Sequence, residues 1–146
     1  MVSIILFGLL WLNYSTGTNN SVHSQTFQVS PPHRISAEVL TKIANDWRVQ
    51  NGLKPYTESS IVCHIAEERL KEVKLDYSHS GFYKETSYFL QEVYLAENLA
   101  RDWRTEEATF NSFLRSASHS ANLKAPYRYA CIRSDGNYVV HEFANY

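Results

Sequence analysis

The sequence has no surplus of either charge, and it lacks the short motifs that mark several enzyme classes. Its 146 residues contain 14 lysines and arginines against 15 aspartates and glutamates. Without a basic surplus we expect no nucleic-acid partner, since such binding depends on counterion release by positive side chains. The H-E-x-x-H motif of metalloprotease helices is absent. With 44% hydrophobic residues, the length and composition predict one globular domain.

Long hydrophobic runs are also missing, apart from one short stretch near the N-terminus. Residues 2–12 are almost entirely apolar, but a membrane-spanning helix needs about 20 such residues. The stretch is more typical of the apolar core of a secretory signal peptide, and an uncleaved anchor is the alternative. We therefore expect a signal peptide over 1–17, an uncharged linker over 18–33 and a folded domain over 34–146. The predicted location is secreted, cell-surface or periplasmic.

Two amphipathic helices are predicted in the first half of the folded domain. Apolar residues recur at helical spacing from Ile35 to Trp47, with Ser36 as a candidate N-cap and Gly52 as a stop signal. A second helix with one apolar stripe is expected over 61–73. His64 points away from that stripe, so we expect it to be solvated.

The sequence of the second half of the folded domain predicts a third helix and a hairpin. The helix begins at a Thr105 N-cap and runs as one element to about residue 123. Two strand-like runs flank Asp135-Gly136, which predicts a hairpin with Ile132 opposite Val139. Residues 86–100 have mixed character, and we expect a loop with one buried edge rather than a short helix. Helices followed by a terminal hairpin predict an α+β fold.

Cysteine is scarce, and the two that are present show no metal-binding spacing. Cys63 lies in the second predicted helix and Cys131 in the first strand of the predicted hairpin. In an exported protein an even number favours a disulfide. Free cysteine is equally at home as a small buried hydrophobe. The residues alone leave both alternatives open.

Several stretches, taken in order, resemble the CAP superfamily, also called the SCP or PR-1-like domain, and its short bacterial branch in particular. The pattern N-x-x-R-x-x-N-G-L-x-P spans 45–55, A-x-x-R spans 66–69, and S-D-G-N-Y-V-V-H-E-F ends the series. Between them lie S-H-S-G-F with His79, A-E-N-L-A with Glu97, and F-L-R-S-A-S-H-S-A-N-L with His119. The family glycine before the glutamate is replaced by Ala96, and its tryptophan by Phe113.

The resemblance implies an α-β-α sandwich, a small antiparallel sheet with helices on both faces. It also implies that His79, Glu97 and His119 converge in a central cavity. Two imidazoles and a carboxylate suit Zn²⁺ or another divalent ion, and they could equally hydrogen-bond to one another. Many relatives carry a second glutamate near the position of Ser116, and its absence here weakens the expected metal affinity. We therefore expect no required cofactor, with a divalent ion as an optional ligand.

The expected function is a monomeric, non-catalytic domain that binds a small molecule, lipid, glycan or peptide at or outside the cell surface. One alternative is a metal-assisted hydrolase or protease that uses the same three residues. Another is a structural interaction domain in which they only hydrogen-bond. A serine nucleophile beside His119 is disfavoured, because Ser118 points about 100° away on the helix and Ser116 has no evident orienting acid. No catalytic residue is assigned.

Overall fold

A computed structural model describes residues 33–82 and 94–146. These ranges contain four helices, α1 (Ala37–Gln50), α2 (Ser60–Leu75), α3 (Glu106–Arg115) and α4 (Ala117–Lys124), and three strands, β1 (Tyr94–Ala100), β2 (Tyr129–Asp135) and β3 (Tyr138–Asn145). The predicted signal peptide and all of the predicted linker except residue 33 lie outside the described residues. Within the described ranges, no helix has the length and hydropathy needed to cross a membrane.

The three strands form one antiparallel sheet in the order β1-β3-β2, with helices on both faces. Helix α2 packs on one face against β2 and β3, while α1, α3 and α4 cover the other. Along β3, Val139 and Phe143 join the core under α1, and Val140 and Ala144 join the core under α2. The predicted α+β sandwich is confirmed.

The start and stop signals of the helices are also confirmed. The side chain of Ser36 accepts a hydrogen bond from the Val39 amide, and that of Thr105 accepts one from the Ala108 amide. Gly52 has a φ of +74° directly after α1, a conformation that favours glycine at a helix end. His64 is exposed, as expected.

Strand β1 corrects the prediction of a loop with one buried edge. Residues 94–100, Y-L-A-E-N-L-A, form an edge strand whose residues from Ala96 to Ala100 are all buried. Because helices cover both faces of the sheet, the strand shows no alternation of polar and apolar residues. The preceding part of that prediction, up to residue 93, lies outside the described residues.

The single helix predicted from Thr105 is two helices. Ser116 has an extended backbone (φ −88°, ψ 124°) that ends α3 and begins α4. No glycine or proline marks this break, and serine hydroxyls compete for backbone hydrogen bonds only weakly. The break therefore has no strong signal in the sequence.

The hairpin register differs from the prediction by two residues. The turn is formed by Gly136 and Asn137, so that Asp135 pairs with Tyr138 and Ile132 pairs with His141 instead of Val139. Gly136 takes a φ of +63°, and glycine at the first turn position fits a type II′ hairpin. Because the shift is two residues, every side chain keeps its expected face.

His141 of β3 lies in the core of the domain. It is 1% exposed, and burial, with a smaller contribution from Arg48, lowers the pKa of its imidazole to about 3. The ring is therefore neutral at physiological pH.

A disulfide joins Cys63 in α2 to Cys131 in β2, which settles the alternatives that the sequence left open. The bond fastens α2 to the sheet across a separation of 68 residues. Closing so long a loop in the unfolded chain is a large entropic constraint.

Arg48 joins the parts that surround α1. It is 2% exposed, and its guanidinium donates to the carbonyls of Lys54, Leu123 and Ala125 and to the hydroxyl of Tyr56. Its bonds therefore tie α1 to the loop after it and to the C-terminal end of α4. Carbonyls at a helix C-terminus carry partial negative charge, which compensates the buried cation.

Replacing Arg48 with methionine is expected to destabilise the fold by about 3 kcal/mol, because several buried acceptors lose their donor. The free energy of urea unfolding measures this. The control is Lys42→Met, which removes an exposed pair with Asp46 and should cost less than about 0.5 kcal/mol. Equal losses in the two variants would contradict the stabilising role of Arg48.

Candidate functional site

The centre of the candidate site is an ion pair between Arg69 of α2 and Glu97 of β1. Both side chains are 1% exposed. Arg69 donates from Nε to Oε2 of Glu97 at 2.7 Å and from Nη2 to Oε1 at 3.2 Å. Two parallel bonds fix both groups in one plane, which a single contact would not do. The pair joins α2 to the edge of the sheet.

The same arginine positions the loop that follows α2. Its Nη2 also donates to the carbonyl of Ser78 at 3.0 Å, and its Nη1 bonds Glu72. A Cβ atom on Gly81 would overlap Nη1 of Arg69 and the carboxylate of Glu72. Glycine at this position therefore lets the loop lie directly against the ion pair.

His79 lies on that loop and contacts Glu97. Its Nδ1 is 2.7 Å from Oε1 of Glu97, while its side chain is 54% exposed. Since a carboxylate only accepts hydrogen bonds, Nδ1 carries the proton. In the neutral ring the lone pair is then on Nε2, and that nitrogen is available to a ligand.

His119, the third predicted residue, lies near His79 without joining its hydrogen bonds. The two ring centroids are 6.3 Å apart, and Phe113 packs edge-on against the His119 ring at 5.4 Å. Burial, and secondarily the nearby His79, lower the pKa of His119. Its imidazole is therefore neutral at physiological pH.

An amide network holds α4 against β1 beneath His119. Asn98 donates to the carbonyl of His119 at 3.2 Å, and Asn122 donates to the Asn98 side chain at 2.9 Å and to the Glu97 carbonyl at 3.3 Å. The E-N and H-x-x-N stretches of the sequence thus bond to each other. The break at Ser116 begins the short helix that carries these residues.

Glu142 completes the buried cluster, although no pattern in the sequence singles it out. It is the cross-strand partner of Glu97, and it is fully buried. Burial, followed by the adjacent Glu97 carboxylate, raises the pKa of Glu142 well above its usual range. Glu142 is therefore a neutral acid, and neither of its carboxyl oxygens has a hydrogen-bond partner among the described residues.

The arrangement limits how an ion could bind. Both oxygens of Glu97 are engaged by Arg69, and one also by His79, so a metal would compete with a buried cation for this carboxylate. His79 and His119 remain the donors that fit, with Glu97 behind His79 as hydrogen-bond acceptor. Direct ligation by His79, Glu97 and His119 together stays a prediction.

The sequence did not predict the roles of Arg69 and Glu142, for two different reasons. Arg69 appeared only as part of the A-x-x-R resemblance, and no sequence signal paired it with a residue 28 positions away. Glu142 looked like an ordinary strand residue. Its role depends on the pairing of β3 with β1, a strand that was not predicted.

Glu142→Gln tests the state of this acid through the pH dependence of stability. A carboxyl group whose pKa is raised on folding stabilises most in acid, and this contribution is lost as the pH rises through the folded-state pKa. Glutamine is neutral and has nearly the same shape as the protonated acid. In urea unfolding at about pH 5, 7 and 9, the free energy of unfolding of the variant should therefore rise relative to that of the wild type as the pH rises. A loss of about 3 kcal/mol at every pH would instead indicate a paired carboxylate at this position.

Three solved bacterial structures resemble this chain. A cysteine-rich secretory protein from Staphylococcus aureus gives a TM-score of 0.69 at 20% identity, covering 75% of this chain and 38% of that one. An extracellular SCP-domain protein from Bacillus anthracis gives 0.67 at 14%, covering 75% and 40%. An outer surface protein from Borrelia burgdorferi gives 0.66 at 17%, covering 79% and 98%.

These comparisons bear on the fold. No protein-family model and no curated protein sequence gives a significant match. The aligned region spans 38% and 40% of the first two structures. The architecture expected from the motifs is confirmed, and the chain has the fold of bacterial CAP/SCP-domain proteins.

Proposed function

We propose that this chain is an exported, monomeric, non-catalytic binding domain whose site is formed by His79, Glu97 and His119. Its partner is a small molecule, lipid, glycan or peptide at or outside the cell surface, and a divalent ion such as Zn²⁺ is an optional second ligand. The observation that carries this proposal is the exposed His79 ring held by a buried carboxylate.

The difference in burial between His79 and His141 supports a binding role for His79. A purely structural histidine would be expected inside the core, as His141 is. His79 instead keeps about half of its side chain in solvent while Arg69 and Glu97 hold it from behind. Preorganised donors of this kind bind at lower entropic cost than free side chains.

The hydrogen bonds of Glu97 favour binding over catalysis. A general base must be free to take a proton from a reactant, but Arg69 and His79 already donate to Glu97. If an ion binds, it would supply Lewis acidity beside His79 and His119. Among the described residues, we assign no separate base that would use it.

Export is supported by two observations of different kinds. A disulfide links Cys63 and Cys131, and structural disulfides persist in oxidising compartments. The structurally similar proteins are described as secretory, extracellular or outer-surface proteins.

Titration calorimetry with Zn²⁺ tests the site. We expect one weak ion per wild-type chain at neutral pH, and loss of that binding in His79→Ala and in His119→Ala. Binding should weaken in acid, as the pH falls through the lowered pKa of His119, because a protonated imidazole has no lone pair to donate. His64→Ala, which removes an exposed histidine of α2, is the matched control and should bind like the wild type.

Nuclear magnetic resonance of the histidine rings separates ligand binding from a structural role. An added ligand should shift the signals of His79 and His119 and leave those of His64 in place. Zn²⁺ binding that survives in both alanine variants would put the ion elsewhere. Turnover of ester or peptide substrates that is lost in the same variants would replace the binding role with a hydrolytic one.

A further inference from the structure

A cluster of metal-ligating groups lies away from the histidine site, where α2 meets β2. A carboxylate oxygen of Glu58 and the sulfur atoms of Cys63 and Cys131 all lie within 4.8 Å of one another. Glu58 is exposed just before α2, and the two sulfurs are buried. We propose that, when the disulfide is reduced, these three residues bind a thiophilic divalent ion such as Zn²⁺ or Cd²⁺.

The donor set and its spacing suit such an ion. Thiolates select Zn²⁺ and similar soft or borderline ions over Mg²⁺ and Ca²⁺. Ligand atoms around a tetrahedral zinc lie about 3.5 to 3.8 Å apart, since Zn–S is about 2.3 Å and Zn–O about 2.1 Å. In the oxidised chain the two sulfurs are bonded to each other at 2.07 Å, and the Glu58 oxygen lies within 4.8 Å of both. Separating the two sulfurs and turning the exposed Glu58 side chain would complete the site, with water as fourth ligand.

A groove and a small cavity adjoin the disulfide on the side of Glu58 and Cys131. An open groove between α1 and β2 is lined by Glu38, Lys42 and Arg133. It shares Glu58 with a small cavity of about 10 Å³ that Cys131 and His141 also line. Glu58 therefore lies where the groove meets the cavity.

The imidazole of His141 forms part of the cavity wall. Nδ1 of His141 is buried and, within the described ranges, has no hydrogen-bond partner. The neutral imidazole adds one polar group to a largely apolar cavity wall, and a water that completes the coordination of an ion could bond to it.

A dithiol can reduce the disulfide between Cys63 and Cys131. The dithiol gives up two electrons and two protons and becomes a disulfide, while the bond between Cys63 and Cys131 becomes two thiols. Ion binding then releases the two thiol protons to solvent as the thiolates coordinate. In the oxidised chain both sulfurs are bonded to each other, so the site exists only after reduction. The ion would restore the link between α2 and β2 that reduction removes.

Cadmium titration of the reduced protein tests the proposal. The disulfide is reduced with a phosphine, and the phosphine is then removed under anaerobic conditions. The reduced protein is titrated with Cd²⁺ while the thiolate-to-metal charge-transfer absorption is recorded. We expect the band to saturate at one ion per chain, and to be absent from the oxidised protein. Because the band requires sulfur ligands, binding at His79 and His119 does not contribute to it.

Two acidic variants make the test specific for Glu58. Glu58→Gln should weaken Cd²⁺ binding at least about tenfold. Glu38→Gln removes another acid of the same groove and should bind like the wild type. No sulfur band in the reduced, folded protein would overturn the proposal, as would equal affinities in the two variants.

A separate measurement covers the case in which reduction unfolds the chain. An ion that binds the folded state shifts the folding equilibrium towards it. Added Cd²⁺ should then restore the near-ultraviolet circular dichroism of the folded protein. Failure to restore it would also overturn the proposal.

Discussion

The buried ion pair between Arg69 and Glu97 is the interaction on which the candidate site depends. It links α2 to the edge strand β1, and each partner also holds a neighbour: Arg69 holds the carbonyl of Ser78, and Glu97 holds His79. A buried charge is tolerated only when it is paired and hydrogen-bonded. Removing either partner would therefore release the histidine loop as well as strain the core.

The buried acids show how this sheet carries charge inside a small domain. Glu97 and Glu142 are opposite each other on adjacent strands, where two carboxylates would repel. The raised pKa of Glu142 leaves Glu97 as the fully buried negative charge opposite the Arg69 guanidinium. The cluster is thus close to neutral in its interior, and the exposed edge of His79 is where it meets solvent.

The sequence predicted those parts of the fold whose signals are local. Ser36, Thr105 and Gly52 act at helix ends through bonds to near neighbours or through backbone conformation, and all three predictions were correct. The strand β1 was missed because helices cover both of its faces and remove the alternation that marks a strand. The break at Ser116 was missed because no residue there forbids a helix.

The site was predictable only in part for the same reason. The motif resemblance selected His79, Glu97 and His119, and the structure joins the first two by a hydrogen bond and places the rings of the two histidines 6.3 Å apart. Arg69 and Glu142 act through contacts between distant parts of the chain. Such contacts follow from strand pairing and helix packing, which periodicity and spacing alone do not determine.

A double-mutant cycle on Arg69 and Glu97 tests the central claim most directly. The unfolding free energies of Arg69→Met, Glu97→Gln and the combined variant are compared with that of the wild type. Each single change leaves an unpaired buried partner and should cost about 3 to 5 kcal/mol, while the double variant should lose clearly less than the sum. Losses that simply add would show that the two side chains do not depend on each other, and would contradict the central place of this ion pair in the site.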